Sequence, residues 1–197
     1  MWTSAYKGVV LALCCGVRAG VAQGELPALP TCIDRHMAKY DWMLEVHAAT
    51  PLDDVMGGLW HAQEVTYCGT LGIVRCDRSD APLPCQEALR AEQDALAQTV
   101  RAGLPDPADL EATTRAEHLY EAVYALAHGR SAGADCAGAD EVVRVWCEAR
   151  EASFRLRDAV LAWQVAQFLG RVPRAVEAGW AKAPPPVRPR ARSAVDQ

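Results

Sequence analysis

The cysteines constrain the fold of this chain more than any other residue type. Eight occur in 197 residues, and six of them follow an N-terminal segment that predicts export: Cys32, Cys68, Cys76, Cys85, Cys136 and Cys147. Export delivers a chain to an oxidising compartment, where an even number of thiols pairs into disulfides. The gaps between the cysteines are irregular and lack the close pairs of a zinc knuckle. We therefore expect three structural disulfides and no metal site.

The N-terminal segment has the three-part layout of a secretory signal peptide. Lys7 precedes a mostly apolar run that ends at Val17, and small residues follow up to Ala22. The run is shorter than the roughly 20 residues that span a bilayer. We predict a signal peptide over residues 1–22, cleaved after Ala22 with Gly24 as the alternative. The mature protein would then have no stable membrane span, and its location would be the bacterial periplasm or the extracellular medium.

Charge divides the remaining chain into two parts. Residues 23–182 predict a single α-helical domain, whereas residues 183–197 form a Pro/Arg-rich tail that cannot bury apolar area and is predicted to be disordered. Residues 23–181 carry 14 Lys or Arg against 24 Asp or Glu, a net charge of −10. An acidic body argues against nucleic acid as a partner, because phosphate binding needs a basic face. It favours a basic protein instead.

Two helices are predicted at the start of the domain. Apolar residues recur at helical spacing from Thr31, which is a plausible N-cap, to about Ala49. Thr50 and Pro51 then suit the cap and first position of a second helix, which Gly69 would end.

The short connection makes these two helices an antiparallel hairpin. Cys32 lies 18 residues before Thr50 and Cys68 lies 18 residues after it. Antiparallel packing brings both sulfurs to the open end of the hairpin, so we predict a disulfide between Cys32 and Cys68. Cys76 and Cys85 would then close the polar, proline-containing loop between them, and Cys136 and Cys147 would tie the entry of the longest helix.

The rest of the chain predicts further helices. Leu71–Arg75 is interpreted as an extended connector, and a third helix is predicted over residues 84–102. A fourth helix is predicted from Asp109, as its cap, to Gly129. The longest runs from Asp140 to about Leu169, and a short helical segment over residues 174–182 would pack Val176 and Trp180. The predicted fold is an all-α, five- to six-helix disulfide-stabilised bundle built on an N-terminal helical hairpin.

Two kinds of candidate site residue stand out. Trp42 and Trp60 each fall beside the main apolar face of their helix, and exposed aromatic residues mark binding surfaces. The pairs His61 with Glu64 and His118 with Glu121 have spacings that allow acid–base work. Such pairs are more often solvated surface pairs, and neither spacing matches a metal motif. No cofactor is predicted.

The function expected from these features is non-enzymatic. A small exported helical protein held by disulfides resembles, in architecture, bacterial envelope proteins of the lysozyme-inhibitor kind that contain helical hairpins. We expect this chain to bind or to inhibit another envelope or extracellular macromolecule. The alternative is a small secreted hydrolase that uses the His and carboxylate residues, and a third hypothesis is a structural envelope protein whose basic tail contacts anionic lipid or polymer.

Overall fold

The structure is a computed structural model that describes residues 25–47, 49–51, 62–109, 112–129 and 136–185. These described residues contain five α-helices, a short 3-10 turn and no strand, which confirms the all-α prediction. The elements are α1 (Leu29–Val46), α2 (Ala62–Asp77), α3 (Pro82–Ala102), the 3-10 turn (Pro107–Asp109), α4 (Arg115–Gly129) and α5 (Glu141–Phe168). The predicted signal peptide, the residues after Pro51 that were assigned to the start of the second helix, and the tail beyond residue 185 lie outside the described residues.

Helix α5 is the centre of the bundle. Its 28 residues extend for about 42 Å, and α2, α3 and α4 all pack against it. Its buried face is rich in alanine, including Ala149, Ala152, Ala159 and Ala162. These small side chains let the neighbouring helices approach α5 closely. Larger core residues come from α1 and α4, where Tyr40 and Tyr120 are fully buried.

Helix α2 is longer than its sequence indicated. The predictions that Gly69 ends a helix and that Leu71–Arg75 is an extended connector are wrong, because α2 continues to Asp77. Gly69 is buried, and a Cβ atom at this position would lie 2.1 Å from Ser153 Oγ on α5. The absence of a side chain is therefore needed for the close contact of two helices and does not mark a helix end.

The helix ends show which capping residues are used. Thr31 is not the N-cap of α1, since the helix begins at Leu29 with Pro30 in its first turn. Asp109 does not cap α4 but lies in the 3-10 turn, and α4 begins at Arg115. The start of the longest helix predicted at Asp140 is confirmed: Asp140 is the N-cap of α5, and its side chain accepts a hydrogen bond from the Val143 N–H.

A reciprocal pair of hydrogen bonds opens α4 instead. The Thr114 N–H donates to Glu117 Oε2 at 2.9 Å, and the Glu117 N–H donates to Thr114 Oγ1 at 3.3 Å. This is a capping box, which satisfies two backbone donors at the helix start. Hydrogen bonds from the backbone N–H groups of Thr113 and Thr114 lower the pKa of Glu117 to about 2.

Glycine and a following turn end α5. Gly170 has a φ of 67°, the Gly170 N–H donates to the Gln167 carbonyl, and the Arg171 N–H donates to the Ala166 carbonyl. This pattern is a Schellman motif, in which the left-handed residue costs little only when it is glycine. The helix end predicted near Leu169 is confirmed.

All three predicted disulfides are confirmed. They join Cys32 to Cys68, Cys76 to Cys85 and Cys136 to Cys147, with Cα separations of 5.6, 5.3 and 5.6 Å. Further along the hairpin, His36 of α1 lies against Glu64 of α2. Residue numbers therefore rise along α1 as they fall along the facing part of α2, which confirms the antiparallel hairpin.

A C-terminal segment after α5 crosses the bundle without forming a regular helix. Ala175 and Ala181 are buried, and Trp180 makes an edge-to-face contact with Trp163 at 5.4 Å between ring centroids. Val176, which was expected to pack inward with Trp180, is 37% exposed.

Hydrogen bonds to α1 hold the same segment in place. Arg174 Nε donates to Asp41 Oδ2 at 3.0 Å, and the Lys182 N–H donates to Asp34 Oδ1 at 2.8 Å. Lys182 therefore lies beside the N-terminal half of α1.

The contact between α2 and α5 can be tested at Gly69. Gly69→Ala would place a Cβ against Ser153, and we expect a loss of about 1–3 kcal/mol in the free energy of unfolding, the usual cost of overpacking. Urea denaturation measures this change. The matched control is Gly129→Ala, where no atom lies within 4 Å of the new Cβ, so that variant should be unchanged or slightly more stable. Equal stability of the two variants would contradict the close-packing role of Gly69.

The disulfides should differ in their contributions to stability. The Cys32–Cys68 bond closes a separation of 36 residues and the Cys76–Cys85 bond one of 9. On chain entropy alone, replacing the first pair by alanine should cost about 4 kcal/mol and replacing the second about 2.5 kcal/mol. Urea denaturation of the two double variants checks the order, and a larger loss for the Cys76–Cys85 pair would contradict it.

Candidate functional site

A groove between α1 and α2 is the strongest candidate for a binding site. Its volume is about 540 Å³, within the range of ligand-sized clefts. The segment before α1, both helices and the Cys32–Cys68 disulfide contribute to it. Its lining residues are Leu26, Pro27, Cys32, Arg35, His36, Lys39, Glu64, Tyr67, Cys68 and Leu71. We call this feature the hairpin groove.

A buried histidine forms part of one wall of the hairpin groove. His36 is 3% exposed, its Nδ1 lies 3.1 Å from Glu64 Oε2, and its Nε2 lies 3.0 Å from Nε2 of Gln164 on α5. An amide nitrogen only donates, so the hydrogen bond with Gln164 assigns the imidazole proton to Nδ1, from which it is donated to Glu64. Both ring nitrogens are therefore engaged.

Glu64 joins the histidine to a lysine. Lys39 Nζ donates to Glu64 Oε1, so that one carboxylate is shared between His36 and Lys39. Partial burial would raise the pKa of Glu64, but the hydrogen bonds from Lys39 and His36 outweigh it and hold that pKa below its ordinary value. Glu64 is consequently ionised at neutral pH and neutralises one positive charge.

Arg35 is the cation of the groove that has no such partner. No carboxylate in the described part of the chain forms an ion pair with its guanidinium. With Lys39 paired to Glu64, the hairpin groove thus combines apolar walls with one positive charge, on Arg35, that no carboxylate of the described residues neutralises. This charge lies on a protein whose body is acidic overall.

Exposed aromatic and apolar side chains extend this surface. Trp42 and Val46 are 61% and 58% exposed and continue the face of α1 that carries Arg35 and Lys39, at spacings of three and four residues. Tyr67 on α2 is 60% exposed and lines the groove from the other side. We call this surface, formed by Arg35, Lys39, Trp42, Val46 and Tyr67, the hairpin face.

The residues proposed from sequence are only partly brought together. Trp42 is exposed on the hairpin face and Glu64 lines its groove, whereas Trp60 and His61 lie outside the described residues. His118 and Glu121 form a pair at 3.2 Å on the exposed surface of α4, with side chains 64% and 46% exposed. Neither lines the hairpin groove, and a solvated ion pair accounts for their arrangement.

Sequence reasoning missed His36 and Arg35. The signal for His36 was present in the hairpin register, because it lies four residues after Cys32 while Glu64 lies four residues before Cys68. A disulfide between the two cysteines therefore places the histidine and the carboxylate at the same level of the hairpin. Arg35 has no comparable sequence signal.

Within the described part of the chain, no three His, Cys, Asp or Glu side chains converge in a way that could hold a metal ion. None of the described helices is long and apolar enough to cross a lipid bilayer.

No protein-family model, curated protein or solved structure matches this chain.

The shared carboxylate gives a pH-dependent stability that can be measured. The pKa of Glu64 is lowered in the folded protein, so its stabilising contribution is present above the ordinary carboxyl pKa and is lost as the pH falls through the folded value. The stability advantage of the native chain over Glu64→Gln should thus be seen at neutral pH and disappear in acid. Urea denaturation across this pH range measures it.

Glu121→Gln is the matched control for that experiment. Glu121 also pairs with a histidine, but both side chains are solvent-exposed, so a smaller difference is expected. An advantage over Glu64→Gln that is independent of pH would contradict an ionised Glu64 shared by His36 and Lys39.

Proposed function

We propose that this protein is an exported, disulfide-stabilised binding protein whose hairpin face docks another macromolecule of the envelope or extracellular space. The observation that carries the proposal is the combination, on one surface, of two exposed aromatic side chains and an arginine, Arg35, that pairs with no carboxylate of the described residues. Tyr, Trp and Arg are the residue types that most often dominate the free energy of protein–protein binding.

Export is supported by the chemistry of the cysteines. All six cysteines of residues 23–197 form disulfides, and such bonds persist in an oxidising compartment. Together with the predicted signal peptide, this favours the periplasm or the extracellular medium of a bacterium. Both locations would expose the hairpin face to macromolecules of the envelope.

The chemistry of the groove favours a particular kind of contact. Its apolar walls suit an apolar side chain of the partner, and Arg35 at its edge suits a carboxylate beside that side chain. The basic partner expected from the net charge of the body stays a prediction. At the hairpin groove itself, the uncompensated cation favours an acidic group on the partner.

The hydrolase alternative has less support at this site. A general base must reach a substrate proton within hydrogen-bond distance, but His36 is buried and both its ring nitrogens are engaged by Glu64 and Gln164. Glu64 is itself shared with Lys39. The hairpin groove therefore favours binding over acid–base catalysis.

Affinity capture with matched variants tests the proposal. The native protein, with its disulfides intact, is used as bait in an extract of the envelope of its source bacterium. A partner that docks on the hairpin face should bind Trp42→Ala and Arg35→Glu about thirtyfold more weakly and be captured correspondingly less, since hot-spot residues contribute about 2 kcal/mol or more. The amount of captured partner is measured by quantitative mass spectrometry.

Two variants outside the hairpin face are the controls. Trp146→Ala removes a tryptophan that lines a different groove, between α2 and α5, and Arg78→Glu reverses an exposed charge in the turn after α2. Both should capture the partner as the native chain does. A partner lost equally from all four variants, or from none of them, would contradict docking on the hairpin face.

A further inference from the structure

A second groove lies between α2 and α5. Its volume is about 360 Å³, and it shares no lining residue with the hairpin groove. Thr66, Thr70 and Asp77 line it from α2, and Trp146, Arg150 and Phe154 line it from α5. We call this feature the α2–α5 groove.

The two helices of this groove run antiparallel. Between α3 and α5, the residue numbers of the ion pairs rise together, from Arg90 with Glu148 to Asp94 with Arg155, so these two helices are parallel. The turn of residues 78–81 reverses the chain between α2 and α3. Helix α2 is therefore antiparallel to α5.

Two opposite charges are offset along the α2–α5 groove. Gly69 and Ser153 mark one level of it, because they contact each other across the two helices. Asp77 lies eight residues after Gly69, and Arg150 lies three residues before Ser153. In an antiparallel pair both residues lie on the same side of that level. The difference of five residue steps places their Cα atoms about 7 Å apart along the groove.

Both charges are available to a ligand. Arg150 and Asp77 line the same groove but form no ion pair with each other or with any other residue of the described ranges. The guanidinium carbon of Arg150 lies 5.5 Å from the ring centroids of both Trp146 and Phe154, which orients the cation and leaves its N–H groups for an anion. Asp77 is exposed and accepts one hydrogen bond, from Gln86 to Oδ1.

The remaining lining of the α2–α5 groove is apolar or carries hydroxyl groups. Ile73 and Val74 line it together with the two aromatic rings. Ser153 also lines it, although this residue is only 3% exposed. Its hydroxyl has no hydrogen-bond partner in the described part of the chain. A hydroxyl can donate to a carbonyl or accept from an amide N–H, so Ser153 suits a ligand that contains a peptide bond.

We propose that the α2–α5 groove binds a free dipeptide with apolar side chains. The ammonium group of the dipeptide pairs with Asp77, its carboxylate pairs with Arg150, and its apolar side chains contact the aromatic rings. Two extended residues span about 7 Å, which matches the offset of the two charges. Such a dipeptide has no net charge, so the acidic body of the protein does not repel it.

NMR titration of the full, disulfide-bonded chain with leucylphenylalanine tests this proposal. We expect saturable shifts of the Trp146 indole N–H and of the backbone amides that line the α2–α5 groove. Phenylalanine alone is too short to reach both charges, so it should bind about tenfold more weakly, the effect of losing one charge-assisted hydrogen bond.

Capped peptides combined with variants assign each end of the dipeptide. N-acetylation removes the ammonium group and C-terminal amidation removes the carboxylate, so each cap should weaken binding to the native chain about tenfold. Asp77→Asn should weaken binding of the uncapped dipeptide equally, and acetylation should then have no further effect. Arg150→Gln should likewise remove the effect of amidation. Asp77→Asn keeps an oxygen that can accept from Gln86, so the fold around it is retained.

Two variants with the same changes of charge are the controls. Asp80→Asn and Arg78→Gln alter exposed residues in the turn after α2 that do not line the α2–α5 groove, and both should bind the dipeptide as the native chain does. Capped peptides that bind as tightly as the uncapped one, or equal losses in the controls, would overturn the proposal. Leucylphenylalanine that causes no saturable shifts at this groove would overturn it as well.

Discussion

The Cys32–Cys68 disulfide sets the register of α1 against α2, and the hairpin groove depends on that register. Four residues along each helix from this bond, His36 meets Glu64, and Lys39 reaches the same carboxylate about one turn later. A shift of one residue would turn Glu64 by about 100° around the axis of α2. The carboxylate would then leave the histidine, and a buried imidazole would lose its partner, which is costly inside a protein. The covalent bond and the buried polar contact thus select the same register.

Polar contacts also fix the rotation of α1 on the bundle. The inner side of α1 offers apolar residues, but apolar burial is non-directional and does not by itself select one orientation. The Tyr40 hydroxyl donates to the Gln164 carbonyl, and Gln167 Nε2 donates to Asp41 Oδ1 at 2.8 Å. Burial, and secondarily the nearby Asp41, raise the pKa of Tyr40, which keeps this hydroxyl protonated as a donor.

The exposure of the hairpin face is a consequence of this arrangement. With His36, Tyr40 and Asp41 all directed towards the C-terminal half of α5 and the segment after it, the opposite side of α1 must face solvent. Trp42 and Val46 lie on that side. Burying the side chains of Trp42 and Val46 would by itself be favourable. They are exposed because the polar contacts that anchor α1 turn this side of the helix towards solvent.

The sequence was sufficient for the helical class, the antiparallel hairpin and the three disulfides, because cysteine spacing and short loops leave few arrangements. The same count that paired Cys32 with Cys68 also pairs His36 with Glu64. The pairing of His36 with Glu64 was missed because helical periodicity considers each helix alone. The register of a hairpin predicts which residues of its two helices are in contact, whereas the periodicity of a single helix does not.

Gly69 shows what the sequence could not decide. Glycine is common both where a helix ends and where two helices approach closely, and only the position of Ser153 on α5 distinguishes the two roles. The helix starts present a similar ambiguity. Thr31 and Asp109 are suitable caps, but Pro30 allows α1 to begin earlier, and the capping box of Thr114 and Glu117 determines the start of α4.

Local charge, and not net charge, determines what each surface can bind. The acidic body of the chain influences solubility and the approach of partners, but at physiological ionic strength exposed charges interact over about 8 Å. Within that distance the hairpin groove has Arg35, which pairs with no carboxylate of the described residues, whereas a hollow between α1 and α3 has Asp34 and Glu92. One chain therefore presents two surfaces of opposite charge.

Helix α1 separates these two surfaces. Asp34 and Arg35 are adjacent in sequence, and successive residues of a helix point about 100° apart. Asp34 therefore lines the hollow between α1 and α3, and Arg35 lines the hairpin groove. Because α1 is held by a disulfide on one side and by polar contacts with α5 on another, both surfaces are presented by the same rigid element.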